Sequence, residues 1–112
     1  MISVTNLTKR RKPSLPYKKI AEKILGEDFS LSIVLAGNSM MKKINKEFRK
    51  NNEIASTLSF PLSKTEGEIF LNINNSGKEV LFLLIHSMLH LKGLKHGKNM
   101  EQKEDLYYNE FV

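Results

Sequence analysis

The sequence predicts an α+β fold in which a mixed β-sheet of about four strands packs against helices. Segments of alternating hydrophobicity interleave with segments of helical periodicity, and the sequence contains no internal repeat. The length of 112 residues is typical of one domain, so we expect residues 1–112 to form a single domain. Hydrophobic residues make up 40% and charged residues 27%, which is the balance of a globular protein.

The first two predicted elements are a strand and an amphipathic helix. Ile2 and Val4 alternate with polar residues, which predicts a short strand, and residues 10–14 predict a loop. Pro16 suits the first position of a helix, and Gly26 suits its C-terminal stop. The apolar residues that recur at helical spacing between them are Tyr17, Ile20, Ala21, Ile24 and Leu25.

A second strand and a second helix follow. Residues 31–35 are mostly apolar and end just before Gly37, so they predict a strand. The side chain of Asn38 or Ser39 can cap the next helix. The apolar residues expected on the inward face of that helix are Met40, Ile44 and Phe48.

The second half of the chain predicts two strands and two helices. Residues 57–60 form a strand stopped by Pro61, and residues 69–73 form another. Residues 76–79 have capping-box spacing before the apolar stretch 80–91, which predicts a largely buried central helix. The last predicted helix spans residues 100–108 and turns inward Met100, Leu106 or Tyr107, and Phe111.

Composition restricts the compartment and the kinds of site. There is no cysteine, so neither disulfides nor thiolate–metal sites can form. The longest apolar run, residues 80–85, is too short to cross a bilayer, and the basic residues 9–12 are not followed by an apolar signal core. We therefore expect a cytoplasmic protein with no membrane partner.

The charge of the chain is compatible with a nucleic-acid partner. Eighteen Lys and Arg residues against twelve Asp and Glu residues give a net charge of +6. A basic balance favours polyanion partners such as RNA. A solvated surface kept soluble by its charge explains the same excess equally well. Charge alone therefore leaves RNA binding open.

All three histidines of the chain lie in one segment, HSMLHLKGLKH. His86 and His90 are four residues apart, so they project from the same face of the predicted central helix. Gly93 suits a left-handed helix end, after which the chain can bring His96 back toward the first two rings. A lone histidine beside an apolar helix face is usually a satisfied boundary residue, but three with this spacing favour a metal site. Three imidazoles and one open position are typical of catalytic Zn²⁺.

The same spacing occurs in metzincin peptidases, which are the less favoured alternative. Those enzymes place a glutamate directly after the first histidine as the general base, and here that position is Ser87. Three neutral imidazoles leave the full charge on the ion, which favours an anionic substrate such as a phosphodiester. In RNA the adjacent 2′-hydroxyl can serve as an internal nucleophile.

Two segments of the chain resemble the YbeY family, the bacterial endoribonucleases of ribosomal RNA maturation. The family signature H-G-x-L-H-L-x-G-Y-D-H is matched by the histidine segment, with Ser87, Leu94 and Lys95 as departures. A second signature, an arginine followed by T-D-V-L-S-F-P and then G-D-I, is matched in part by Arg49, by ASTLSFP at residues 55–61 and by GEI. Its threonine and aspartate are replaced by Ala55 and Ser56.

The resemblance implies a fold, a metal site and a function. The family fold is an α+β domain with the zinc site at the end of a central helix. Its ligands correspond to His86, His90 and His96, with one Zn²⁺ per chain, and its phosphate-binding arginine corresponds to Arg49. Without the resemblance, Arg49 would be interpreted as one more exposed cation after an amphipathic helix.

The function implied by the resemblance is a zinc-dependent endoribonuclease specific for single-stranded RNA. It would act in 16S rRNA 3′-end maturation and ribosome quality control, with an rRNA precursor and the ribosome as partners. The non-enzymatic alternative is a zinc-containing RNA- or ribosome-binding factor. Lys95 removes a carboxylate beside a ligand, which bears on catalytic efficiency more than on zinc binding.

Overall fold

The computed structural model describes residues 1–74 and 77–112. The strands in this part of the chain are β1 (Ile2–Asn6), β2 (Ser30–Ala36), β3 (Thr57–Pro61) and β4 (Glu66–Asn72). The helices are α1 (Tyr17–Leu25), α2 (Asn38–Arg49), α3 (Gly77–Leu91) and α4 (Lys98–Phe111). This architecture confirms the predicted α+β class. The predicted capping box at residues 76–79 includes Ser76, which lies outside the described residues.

The four strands form one mixed sheet in the order β1-β2-β4-β3. β1, β2 and β4 run parallel, and β3 pairs antiparallel with β4 at one edge. Pro61 ends β3 but still belongs to it, opposite Gly67, because an edge strand has one side without a hydrogen-bonding partner. β4 begins at Glu66, earlier than predicted, because its polar first residues pair with β2 and β3.

Helices α1 and α3 cover one face of the sheet and enclose the main core. α3 contacts α1, α4, β3 and β4, so it is the central helix that the apolar stretch predicted. Its fully buried residues include Val80, Leu84, Ile85, Met88 and Leu89. Each buried side chain of this size contributes about 1.5–3 kcal/mol to stability. The last turn of this helix is thereby held firmly against β3.

Helix α2 lies on the opposite face of the sheet and corrects the predicted inward face. Ile44 is buried as expected, but Met40 is 38% exposed and Phe48 is 66% exposed. The buried positions are instead Met41 and Asn45, one residue round the helix. Asn45 is turned inward because its Nδ2 donates a hydrogen bond to the carbonyl oxygen of Glu53, at 3.0 Å.

The start of α2 differs from the prediction in the same way. Gly37 is the N-cap residue, and neither Asn38 nor Ser39 makes a side-chain cap hydrogen bond. The Oδ1 atom of Asn38 instead accepts a hydrogen bond of 2.6 Å from Nδ2 of Asn72, which ties the helix start to the end of β4. Asn38 therefore does not cap the helix, because its side-chain oxygen is already bonded to Asn72.

Helix α4 packs against α3 and resolves the predicted alternative. Met100 is buried and Tyr107 is half-buried, whereas Leu106 is exposed, so Tyr107 is the inward residue of the pair. Pro16 precedes α1 as its N-cap residue, and the helix itself begins at Tyr17. Among the described residues, no helix combines the length and apolar character needed to span a bilayer.

Candidate metal centre

The end of α3 positions the first two histidines and turns the chain toward the third. His86 and His90 lie one turn apart near the C-terminal end of the helix. Gly93 follows with a φ of 100°, a left-handed conformation that costs glycine little. Its N–H donates to the carbonyl oxygen of His90, and the N–H of Leu94 donates to that of Leu89, the paired bonds of a Schellman turn.

This turn brings the three imidazole rings together, as the spacing predicted. The ring centroids of His86 and His90 are 4.6 Å apart, those of His90 and His96 are 4.8 Å apart, and those of His86 and His96 are 5.2 Å apart. One ring nitrogen from each residue lies within 4.8 Å of the other two. Three histidines that are distributed along eleven residues therefore form one group able to hold a metal ion.

Hydrogen bonds on the outer ring nitrogens set the orientation of two of the rings. Nδ1 of His86 lies 2.7 Å from Oε2 of Glu104, and Nδ1 of His90 lies 3.2 Å from the carbonyl oxygen of Leu94. Carboxylate and carbonyl oxygens accept, so each Nδ1 carries the proton. Each Nε2 then presents a lone pair to the centre of the group, which is the form that binds a metal.

The spacing of the inner nitrogens fits a single shared cation. Nε2 of His86 and Nε2 of His90 are 3.1 Å apart. Two nitrogens at ~2.0–2.1 Å from a tetrahedral ion lie about 3.3 Å from each other. With both protons on the outer nitrogens, two lone pairs face each other at this distance, and a cation between them turns that repulsion into attraction.

The electrostatics of the group also favour neutral imidazole at His90. Burial lowers the pKa of His90 below its ordinary value of 6.5, and the neighbouring His86 lowers it further. The backbone hydrogen bond to Leu94 opposes this shift in pKa without reversing it. Because a protonated imidazole cannot bind a metal, the lowered pKa extends the range of pH over which His90 is available as a ligand.

The three histidines open onto a cleft of about 350 Å³ between α3 and the edge strand β3. Arg49, at the end of α2, lines the same cleft, so the structure brings all four predicted site residues together. Nη2 of Arg49 donates a hydrogen bond of 2.8 Å to the carbonyl oxygen of Ser59 on β3. Its Cζ atom lies 5.4 Å from the centre of the Phe60 ring, in a cation–π arrangement.

Ser87 lies away from this cleft. Its side chain is fully buried, and its hydroxyl donates to the carbonyl oxygen of Leu83 at 2.8 Å. Its own carbonyl oxygen accepts a 3.3 Å hydrogen bond from the hydroxyl of Ser59, which joins α3 to β3. The position that holds the general base of a metzincin is therefore used for packing in this chain.

The structure adds residues that the sequence analysis missed. Glu104 is only 6% exposed and holds His86, while Thr57 and Ser59 form the β3 wall of the cleft. One signal for Glu104 was present, because it falls one turn after Met100 on the inward side of α4. A carboxylate at an inward helical position needs a partner, and a histidine is a suitable one.

Comparison with known proteins places these features in a family. The family model described as Endoribonuclease YbeY matches residues 3–111. Among curated relatives, the Endoribonuclease YbeY of Chlorobium phaeovibrioides is 31% identical over 95% of this chain and 87% of its own length. The Endoribonuclease YbeY of Chlorobium phaeobacteroides is 28% identical over 99% of this chain and 94% of its own length. The solution structure of TM1509 from Thermotoga maritima superposes with a TM-score of 0.68 at 27% identity, covering 98% of this chain and 88% of that one.

Proposed function

The chain belongs to the YbeY endoribonuclease family, and we propose that it uses zinc to cleave single-stranded RNA. The observation that carries this proposal is the presence of three convergent imidazoles and Arg49 in one cleft. His86, His90 and His96 would hold the ion, and Arg49 would hold a phosphate of the substrate. The cleft would therefore hold the metal through the three histidines and the anionic phosphate through Arg49.

Zinc is the metal that the donor set favours. Three imidazole nitrogens with an open fourth position are the ligand set of catalytic zinc, and no carboxylate belongs to the group of three. When bound, Zn²⁺ supplies a Lewis acid for a phosphate oxygen and lowers the pKa of a coordinated water toward ~7. The three ligands carry no charge, and the carboxylate of Glu104 acts on the ion only through His86, so a net positive charge would remain that favours a phosphodiester over a neutral peptide bond.

Arg49 is suited to position the phosphate. A guanidinium has five N–H donors, so Arg49 can keep its hydrogen bond to Ser59 and still make two parallel bonds to a phosphate. The bond to the β3 backbone and the contact with the Phe60 ring hold the guanidinium at the rim of the cleft. A phosphate held there would lie beside the metal rather than out in solvent.

The cellular role that we propose is 16S rRNA 3′-end maturation and ribosome quality control in the cytoplasm. The substrate would be an rRNA precursor, met on the ribosome. This role is supported by the resemblance of the two sequence signatures to the family and by the net charge of +6, which favours a polyanion. Cleavage by a 2′-hydroxyl of the strand itself would require an unpaired, freely rotating backbone, in agreement with a preference for single strands.

One departure favours a second candidate, a zinc-containing RNA- or ribosome-binding factor without activity. Lys95 is exposed beside His96, where the family signature has an aspartate. A cation next to a ligand changes the hydrogen bonds available around the metal and near the substrate. Zinc binding depends on the three histidines, all of which are present, so only turnover distinguishes the two candidates.

The test compares the zinc-loaded protein with a His86→Ala variant on single-stranded RNA, duplex RNA and a peptide library. Lys98→Ala is the matched control, because Lys98 is exposed at the start of α4, is not one of the three histidines and does not line the cleft. We expect metal-dependent cleavage of the single strand by the wild type and the control, and none by His86→Ala. Binding of RNA without cleavage would favour the inactive factor, and cleavage of peptides alone would favour a peptidase.

A further inference from the structure

Three phenylalanines form an aromatic patch next to the metal cleft: Phe48 on α2, Phe60 on β3 and Phe70 on β4. The ring centroids of Phe48 and Phe60 are 5.8 Å apart and edge-to-face at 71°, and those of Phe60 and Phe70 are also 5.8 Å apart, at 86°. The guanidinium of Arg49 lies over the Phe60 ring. The aromatic patch and the candidate metal centre therefore meet at Arg49.

Phe48 is the exposed member of the aromatic patch. It is 66% exposed, although it belongs to a helix whose apolar positions Met41 and Ile44 are buried. Beside it is an apolar hollow of about 280 Å³, which Leu62 also lines. The edge-to-face contact with Phe60 supports the Phe48 ring from one side, while most of the residue faces solvent. A supported aromatic ring with open surface is suited to receive a flat ligand.

The helix that carries Phe48 is basic, which favours an anionic ligand. Helix α2 and the residue after it carry five cations and one carboxylate from position 42 to position 50, namely Lys42, Lys43, Lys46, Glu47, Arg49 and Lys50. All six are exposed, and a further carboxylate, that of Glu68, lines the hollow and accepts a hydrogen bond from the hydroxyl of Ser32. An apolar protein segment would gain little from so basic a helix, whereas a nucleic acid offers bases to the ring and phosphates to Arg49 and the lysines.

We propose that Phe48 is a stacking platform for one unpaired base of the substrate RNA, next to the nucleotide whose phosphate Arg49 holds. This inference rests on the proposed function and adds a binding subsite to it. Every base has an aromatic face, so the platform would accept any base. A base within a duplex is already stacked on its neighbours, so the same platform would favour single strands.

The test measures equilibrium binding of zinc-loaded protein to a 2′-O-methyl RNA strand, which lacks the 2′-hydroxyl, and to the matching duplex. Phe48→Leu keeps an apolar residue but removes the ring, Phe48→Trp keeps a ring, and Leu106→Ala changes a similarly exposed apolar residue on α4. We expect Phe48→Leu to weaken single-strand binding roughly five- to hundredfold. Duplex binding should stay unchanged, and the Trp and Leu106 variants should bind like the wild type.

A second measurement locates the stacked base. Single strands are made with one abasic nucleotide at successive positions. At one position, the missing base should weaken binding by the wild type by the same factor as Phe48→Leu does. Combining that strand with the Phe48→Leu variant should cause no further loss of affinity. If Phe48→Leu binds the single strand as the wild type does, the aromatic patch serves another partner, such as a protein, and the stacking proposal is overturned. If that happens while His86→Ala still abolishes cleavage, the proposed nuclease function stands. A wild type that binds no RNA overturns both.

Discussion

The carboxylate of Glu104 lies 2.7 Å from Nδ1 of His86, across the contact between α4 and α3. Glu104 is buried to 6% exposure, and a carboxylate is seldom buried to this extent without a partner. The bond fixes which nitrogen of His86 carries the proton and which way its ring faces. Helix α4, which contributes no histidine, therefore holds one of the three rings in place.

The first prediction concerns this contact. Glu104→Gln keeps the shape of the side chain but removes its charge, and we expect zinc affinity to fall about 10–100-fold, as for other residues that hold metal ligands. The measurement is competition for zinc with a chelator of known affinity. Glu101→Gln is the control, because Glu101 is exposed on the first turn of the same helix. Equal affinities of the wild type and Glu104→Gln would show that the contact does not support the metal.

The second prediction concerns Arg49. A charge-assisted hydrogen bond to a phosphate contributes about 1.5–3 kcal/mol, so Arg49→Gln should lower kcat/KM for RNA by roughly 10–100-fold. Lys46→Gln removes a cation from an exposed position of the same helix and should have a much smaller effect. Circular dichroism should be unchanged in both variants, since both side chains are exposed. If the two variants lose activity equally, Arg49 acts only through general charge.

The third prediction concerns the turn that returns the chain to His96. An alanine at Gly93 must adopt a φ of 100°, which costs residues with a side chain about 1–2 kcal/mol. Gly93→Ala should therefore lower the free energy of unfolding by that amount in urea and weaken zinc binding, because the relaxed turn misplaces His96. Lys92→Ala is the control, since Lys92 is an exposed residue of the same turn without a positive φ. A fully stable Gly93→Ala variant with unchanged zinc affinity would contradict this role.

The fourth prediction concerns pH and the metal-free protein. The pKa of His90 is lowered below 6.5 in the folded state, so the unfolded state takes up more protons as the pH falls. The contribution of His90 to stability is therefore complete above about pH 6.5 and is lost as the pH falls through its folded-state pKa. Urea unfolding of chelated protein should show this decline, and His90→Gln should reduce its slope. If the free energy of unfolding falls equally steeply with pH in the wild type and in His90→Gln, His90 does not cause the decline.

Local patterns were sufficient to predict most of the fold. Strands and helices follow from hydrophobic periodicity within each segment, and the central helix follows from its long apolar run. The predicted inward face of α2 was wrong. Met40 and Met41 are adjacent, and Ile44 lies at helical spacing from either of them, so the sequence fits both faces. Only the packing partners on the sheet decide between them, and those partners come from distant parts of the chain.

In the candidate site, too, the residues that are close in sequence could be predicted and those brought together by tertiary contacts could not. The three histidines lie within one helix and its turn, so their spacing alone predicts that they meet. Glu104 is eighteen residues from His86, and its contact depends on how α4 folds back on α3. The meeting of Arg49 with the histidines likewise depends on β3 lying between α2 and α3, and only the resemblance to a family pointed to it.

The most direct test is to return zinc stepwise to chelated protein and to measure bound metal and RNA turnover in the same samples. We predict that turnover of single-stranded RNA rises in proportion to bound zinc and stops rising at one ion per chain. His86→Ala should neither retain the ion nor gain activity. Full cleavage of RNA by the metal-free protein, or one bound zinc ion per chain without any turnover, would contradict a zinc-dependent nuclease.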